Sequence, residues 1–294
     1  MGSTLLSARR MAWVALLPMA LTVLVAYLGS VLWSLRVSLS SSRTFPTDDF
    51  VGLSQYARLF ASERWLESLQ HLASYGVPVI AASLVLGYLL AAFIDARVRA
   101  EGVLRTIYLY PYAMSMVATG LVWQWLLNPA SGLQDAVRRL GWSGFEFDWV
   151  VDQDQAIFAV ALAGVWQSAG LVMALMLAGL RAVEPEIWKA ARLDGVPAWR
   201  VHLWVVLPML APVVATVVVL LFAGVVKVFD VVVAMTQGGP GMATDVPAKF
   251  IMDHLFVRAN IAQASAAAIA LLAGVLAVAA PVLYARSRSR AAAA

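Results

Sequence analysis

The chain has 294 residues, of which 62% are hydrophobic and 13% charged, and a formal net charge of +4. That composition is far too apolar for an ordinary soluble domain, so much of the surface must face lipid. There is no cysteine, which removes disulfide frameworks and thiolate metal sites.

A helix needs about 20 apolar residues to cross a hydrocarbon core of roughly 30 Å. Six runs of that scale lack Asp, Glu, Lys and Arg, near residues 11–35, 72–94, 106–127, 156–180, 205–226 and 261–285. The fold class this predicts is an all-α polytopic membrane protein, with 1–294 forming one membrane domain. Arg9 and Arg10 precede the first run in the manner of a secretory signal. The run is longer than a signal's apolar core and ends without an A-x-A-like site, so it reads as a retained span. Between the first two spans, Phe50–Phe60 (FVGLSQYARLF) has the pattern of an amphipathic helix lying at the interface. Between the third and fourth, Gly132, Gly141 and Gly144 punctuate a loop whose Trp142, Phe145, Phe147 and Trp149 are suited to anchoring at headgroup depth.

In the fourth run, Trp166, Gln167 and Ser168 put an aromatic face and hydrogen-bonding groups into an apolar span. Such groups serve a substrate or bond neighbouring helices. Residues 181–204 then form a polar insert between two apolar runs. Pro185 can open a helix without losing a needed N–H, and Glu184 and Glu186 suit its positive end. Ala190 and Ala191 offer a small surface, while Gly195 can end the helix and Pro197 discourages its continuation. After the fifth run, Lys227 and Asp230 are three apart and could pair on one helical face. A charge at the bilayer centre costs about 2.5–3.5 kcal/mol, which places both near the outer end or beside a wet cavity. TQGGPG, Thr236–Gly241, reads as a reversal between helices. The end of the chain, RSRSRAAAA (286–294), reads as a frayed tail.

The charge distribution sets an orientation. With the N-terminus inside, the cytoplasmic segments hold twelve of the 21 Lys and Arg residues, namely Arg9, Arg10, Arg97, Arg99, Arg105, Arg181, Lys189, Arg192, Arg200, Arg286, Arg288 and Arg290. They hold five of the 17 acidic residues, a net +7. Both termini are therefore expected in the cytoplasm, and the basic balance needs no nucleic-acid partner. No GxxxxGK[ST] loop is present to cradle nucleotide phosphates. His71, His202 and His254 are isolated, with no HExxH pair, and there is no GxSxG elbow. No catalytic or metal site is expected, so the chain reads as a non-enzyme.

Three segments carry a family resemblance. KAARLDGVPAWRVHLWVVLP, Lys189–Pro208, resembles the EAA loop of binding-protein-dependent ABC importer permeases. Ala190, Ala191, Gly195, Val205, Leu207 and Pro208 fall on its pattern and Asp194 fits its AAxxDG form, whereas Lys189 replaces the usual glutamate and Val205 the usual isoleucine. Phe229–Gly241, FDVVVAMTQGGPG, is similar to the FDxxxxxTxGGPG segment of sugar-type permeases, and FVGLSQY to their FVGLxNY segment. The stretch from Lys227 to Phe256 looks most like glucose and mannose permeases. The resemblance implies a type I ABC importer permease fold with six transmembrane helices in the inner membrane. It implies a coupling helix that meets a cytoplasmic ATPase dimer through Glu186, Lys189, Ala190, Ala191, Asp194 and Gly195, with Glu186 standing in for the missing glutamate. It also implies a homologous second permease and an extracytoplasmic sugar-binding protein, with ATP and Mg2+ bound by the ATPase and no cofactor in this chain. Sugar contacts are then expected from Trp166, Gln167, Ser168 and Leu171 and from Lys227, Val228 and Asp230. The rival reading is an autonomous secondary transporter or channel for a small polar solute, which would use ionisable residues within the spans. The uncharged spans disfavour it.

Overall fold

The computed structural model describes residues 2–96 and 98–292, and the side chains of residues 11, 13–96 and 98–280. Of the basic residues that orient the chain, the side chains of Arg9, Arg10, Arg97, Arg286, Arg288 and Arg290 lie outside the described residues. In chain order the helices are α1 (Gly2–Thr22), α2 (Gly29–Ser38), α3 (Ser54–Phe60), α4 (Glu63–Asp95), α5 (Glu101–Ala113), α6 (Met116–Leu126), α7 (Leu133–Arg139) and α8 (Ala156–Arg181). They continue as α9 (Pro185–Leu193), α10 (Ala198–Arg200), α11 (Leu207–Met209), α12 (Ala211–Val226), α13 (Asp230–Thr236), α14 (Pro247–Met252) and α15 (Ile261–Ala292). π-helical turns occupy Val23–Leu28, Val201–Val206 and Asp253–Val257. No strand forms among the described residues, and Ser40 and Phe50 make one isolated antiparallel bridge.

Four helical stretches are long and apolar enough to span a membrane: Trp13–Ser38, Glu63–Asp95, Ala156–Arg181 and Ile261–Ala280. A fifth arises if Ala198–Met209 and Ala211–Val226, which meet at a 73° bend, are taken as one broken span. The third predicted span, 106–127, is not one helix. Pro111 lies near the end of α5, Met114 is extended with ψ 151°, and the Ser115 hydroxyl accepts from the Ala118 N–H at 3.1 Å to cap α6. A serine cap satisfies an otherwise orphaned helix-start donor, so the chain restarts a helix in the middle of an apolar run.

The molecule divides into two compact units, residues 1–65 with 250–294 and residues 66–249. In the first, the described apolar side chains from Trp13 to Trp33 are largely exposed, the pattern of a helix solvated by lipid. The α3 helix starts at Ser54 rather than Phe50, because Gly52 turns the chain at φ +60°. Its Leu59 is fully buried and Gln55 donates from Nε2 to the Ser40 carbonyl at 2.9 Å, so one face packs on protein. The N–H groups of Ile261 and Ala262 at the start of α15 donate to the carbonyls of Arg43 and Ser42, which satisfies donors that the helix cannot. Arg64 pairs with Asp253 and lies 5.5 Å above the Phe250 ring. His254 stacks on the same ring at 4.1 Å, and burial pushes its imidazole pKa down. The helix α15 runs to Ala292 where the sequence pointed to a frayed tail, and Ala293 and Ala294 lie outside the described residues.

The second unit is built on α8. This helix is apolar on all sides, as a helix enclosed by others must be, and it buries residues from Ala156 to Leu180. Small residues let neighbours approach closely. A Cβ on Gly170 would stand 1.9 Å from the Tyr108 carbonyl oxygen of α5, and one on Gly87 of α4 would stand 2.5 Å from Val172. Two apolar clusters follow, one around Tyr75, Val160, Val225 and Val232 and the other around Ile94, Met173, Leu180 and Leu210. The TQGGPG reversal is a compact turn. The Thr236 and Thr244 hydroxyls lie 2.6 Å apart, Thr244 also donates to the Gly239 carbonyl at 2.9 Å, and the Asp245 carbonyl is 3.0 Å from His71 Nδ1.

Candidate functional site: an exposed polar helix and a cavity among six helices

The polar insert forms α9 with the ends the residues dictate. Pro185 occupies the first turn, and Gly195 adopts φ +67°, the left-handed conformation that glycine takes without strain. The Val196 N–H bonds to the Ala191 carbonyl at 3.0 Å and the Gly195 N–H to the Arg192 carbonyl at 3.3 Å. This is the paired bonding of a Schellman cap. Ile187, Trp188 and Ala191 face the second apolar cluster. Trp188 packs 5.3 Å from the His202 ring, and His202 Nδ1 is 2.8 Å from the Tyr88 hydroxyl. Glu186, Lys189, Ala190, Asp194 and Gly195 are exposed, and Leu193 is 88% exposed. Alternation at helical spacing thus fixes one side of α9 to the bundle and leaves the other as a knob. Glu186 and Lys189 approach to 3.7 Å, so the substituted lysine and the neighbouring glutamate are partners on the exposed face. Close by, Arg181 contacts Glu101 at 2.8 Å and Asp95 at 3.6 Å. The hydrogen bond from Arg181 holds the Glu101 carboxyl below its usual range.

A cavity of about 390 Å³ opens among α4, α5, α6, α8, α12 and α13. Of the predicted contacts, Ser168, Leu171, Lys227, Val228 and Asp230 line it; Trp166 and Gln167 do not. Trp166 instead packs edge-on to Trp123 at 5.9 Å. Gln167 is 3% exposed, and its Nε2 donates to the Met114 carbonyl at 3.1 Å while its Oε1 has no hydrogen-bond partner. That carbonyl belongs to the break between α5 and α6, so Gln167 pins the discontinuity. Lys227 and Asp230 do not share a helix, because Lys227 caps the end of α12, Phe229 has φ −147°, and Asp230 opens α13. Both are exposed and no ion pair joins them. Two charges outside a regular helix turn and open to water gain little by pairing, which is why helical spacing misled there.

The sequence pointed to no sugar contact at Tyr75, Tyr112, Met116, Phe229 or Gly224, which also line the cavity. A Cβ on Gly224 would meet open space. Tyr112 and Met116 flank the Met114–Ser115 break, and the Pro111 and Ser115 signals could have found them. Leu193, an apolar residue between Arg192 and Asp194, was likewise legible as an exposed anchor. Among the described residues no group of three or more His, Cys, Asp or Glu side chains is placed to hold a metal ion.

Membrane-length apolar helices, a broken span and a projecting polar helix are those of a multi-pass membrane protein of the type I ABC permease fold. The chain belongs to the binding-protein-dependent transport system inner membrane component family, whose model matches residues 83–292. It is 32% identical to a probable ABC transporter permease protein of Pyrococcus horikoshii, over 92% of this chain and 93% of that one. It is 30% identical to the trehalose/maltose transport system permease protein MalF of Thermococcus litoralis, over 80% of each. Among solved structures, a bacterial alginate ABC transporter in complex with an alginate pentasaccharide-bound periplasmic protein superposes with TM-score 0.80, covering 97% of this chain and 95% of that chain at 20% identity. That likeness speaks to the fold.

Proposed function

We propose that this chain is a translocation subunit of an ATP-driven sugar importer, carrying glucose, mannose or a similar small sugar. It works beside a homologous second permease, with a cytoplasmic ATPase pair that binds ATP and Mg2+ and a sugar-binding protein outside. The observation that carries this reading is α9, a rigidly capped helix whose outer face is exposed and whose inner face is keyed to the bundle. A helix offered in this way suits insertion into a groove on another protein. Leu193 and Ala190 supply its apolar contact, and Glu186, Lys189 and Asp194 its polar rim. When the ATPases close on ATP, α9 moves, and Trp188 passes that motion through His202 and Tyr88 to α4. The 390 Å³ cavity is of a size to take one small sugar, with Tyr75, Tyr112 and Phe229 for ring faces and Ser168, Lys227 and Asp230 for hydroxyls. The sugar class rests on the sequence resemblance and on the trehalose/maltose relative.

Reconstitution in proteoliposomes with the partner subunits tests the reading. Labelled glucose and mannose should accumulate only with ATP inside and binding protein outside. Uptake by this chain alone, driven by an ion gradient, would replace the importer with a secondary transporter. The orientation is tested with single cysteines at Leu193 and Met242, both exposed, in a chain that has no other cysteine. They should label from opposite faces of sealed vesicles, Leu193 from the cytoplasmic side; labelling from one face overturns the orientation.

A further inference from the structure

We propose that the 66–249 unit holds one anionic phospholipid on the membrane side that carries α9, with its phosphate in a basic cavity beneath α9 and an acyl chain in an adjoining apolar groove. The cavity, about 680 Å³, is lined by Arg181, Lys189 and Arg192 together with Asp95, Trp188 and His202. The groove, about 610 Å³, runs between α4 and the stretch from α10 to α12, past Val85, Leu89, Leu203 and Leu207. Ala92 and His202 line both, so the two spaces meet.

The charges in the cavity are not equally committed. Arg181 is neutralised by Glu101 and Asp95. Among the described residues Lys189 pairs only with the exposed Glu186, at 3.7 Å, a kind of pair worth little in water. Arg192 donates from Nε to the Trp188 carbonyl at 3.2 Å and pairs with no carboxylate among the described residues, which leaves its terminal nitrogens for an anion. Guanidinium groups suit phosphate oxygens, and basic pockets on the cytoplasmic side of helix bundles suit anionic headgroups.

A basic cavity alone would suit any anion, and the groove decides between them. A free phosphate has no use for it, whereas a phospholipid fills both spaces at once. Val85, Leu89 and Leu203 are exposed on the groove's outer edge, and Trp199 and Trp204 are exposed at the same end of the unit. Tryptophan is enriched at headgroup depth, which matches a lipid with its phosphate at α9 and its chain descending along α4. Moving an acyl chain from bilayer to apolar groove is nearly neutral, because lipid tails are as apolar as leucine. The preference must therefore come from the headgroup, and the groove supplies position.

The test uses the full chain purified in neutral detergent, with equal amounts of phosphatidylglycerol and phosphatidylcholine, retained lipid being counted by native mass spectrometry. Phosphatidylglycerol should be retained in preference. Arg192→Gln should lower its retention about fivefold, the equivalent of about 1 kcal/mol per basic residue. Arg105→Gln, which removes an exposed cation outside both cavities, should leave it unchanged. Ala92→Phe, at the junction, should also lower retention; Leu89→Gln does the same from a more exposed position if the first variant fails to fold. Inorganic phosphate should not displace the lipid. Equal retention of the two lipids overturns the proposal, as does equal loss in Arg105→Gln and Arg192→Gln, which would reduce the effect to surface charge. Full retention in the folded groove variants, or displacement by phosphate, would make the cavity a free-anion site and also overturn it. None of these readouts depends on the solute transported or on any partner chain.

Discussion

The α9 knob and the transmembrane cavity are both made from residues that the sequence marks out, yet only the knob was readable in detail. Its start, its end and its exposed face all come from neighbours within the same short segment: Pro185 at one end, Gly195 at the other, and helical spacing between. The cavity takes its lining from six helices, so local spacing had no access to it. Gln167 and the expected Lys227–Asp230 pair show the cost of reading it locally. The first turns out to hold a helix break, and the second is divided by one. Local chemistry determines a surface element, whereas a site between elements is determined by what else arrives there.

That contrast can be tested most severely at Gly195. Gly195→Pro forces φ near −65° where the chain has +67° and deletes the N–H that bonds to Arg192. A proline in an incompatible position costs about 3 kcal/mol. If α9 transmits motion as a rigid body, sugar-stimulated ATP hydrolysis and uptake in proteoliposomes should fall about a hundredfold. Sugar binding to the external protein should be normal. Unchanged coupling would mean that the knob's local geometry is irrelevant to its role.

A second test sets two glycines of the membrane interior against each other. Gly170→Ala drives a methyl into the Tyr108 carbonyl, whereas Gly224→Ala enters open space beside the cavity. Overpacking costs about 1–3 kcal/mol, so the first variant should lower the thermal unfolding midpoint in detergent while the second leaves it unchanged. Gly224→Phe should then fold normally and block uptake by filling the cavity. Normal uptake by that variant would move the transport path elsewhere.

Gln167 and Asp230 separate scaffold from contact. Gln167→Ala removes the donor to the part-buried Met114 carbonyl and should destabilise the chain by about 1–3 kcal/mol. Its effect on sugar affinity should be small. Asp230→Ala should leave the unfolding midpoint unchanged and weaken uptake, by about tenfold if a hydrogen bond to a hydroxyl is lost. Because Lys227 and Asp230 are not paired, a double Lys227→Met, Asp230→Leu variant should transport no better than Asp230→Ala. Rescue in the double would show that the two pair during the cycle.

The smallest effect belongs to the ion pairs behind α9. The folded-state pKa of Glu101 is held below its ordinary value of 4.5 by the Arg181 hydrogen bond. The folded chain therefore binds fewer protons here than the unfolded chain. The contribution is complete above about pH 4.5 and is lost as pH falls further, through the lowered value. The pair is partly solvent-exposed, so the change is modest. Glu101→Gln should flatten this part of the stability profile below pH 4.5 and leave neutral-pH uptake nearly intact. An unaltered acid profile would remove Arg181 as its cause.

Composition and charge-free runs determined that this chain is helical and membrane-spanning, because lipid forces every backbone polar group to be satisfied within a helix. The sequence likewise set the limits of α9 and the TQGGPG reversal, since proline and glycine restrict or free the backbone residue by residue. Other features were decided by packing. The run at 106–127 could have been one span, but Pro111, the Ser115 cap and the Gln167 side chain from α8 together divide it. The fifth run is bent by 73° around Leu210, where the prolines flanking it weaken the helix and the surrounding bundle sets its direction. Lys227 and Asp230 part for the same reason, because α13 turns away to pack Val231 and Val232 into the bundle. Apolar pattern says which residues leave water; only the neighbouring helices decide where each one stops, bends or leaves a space.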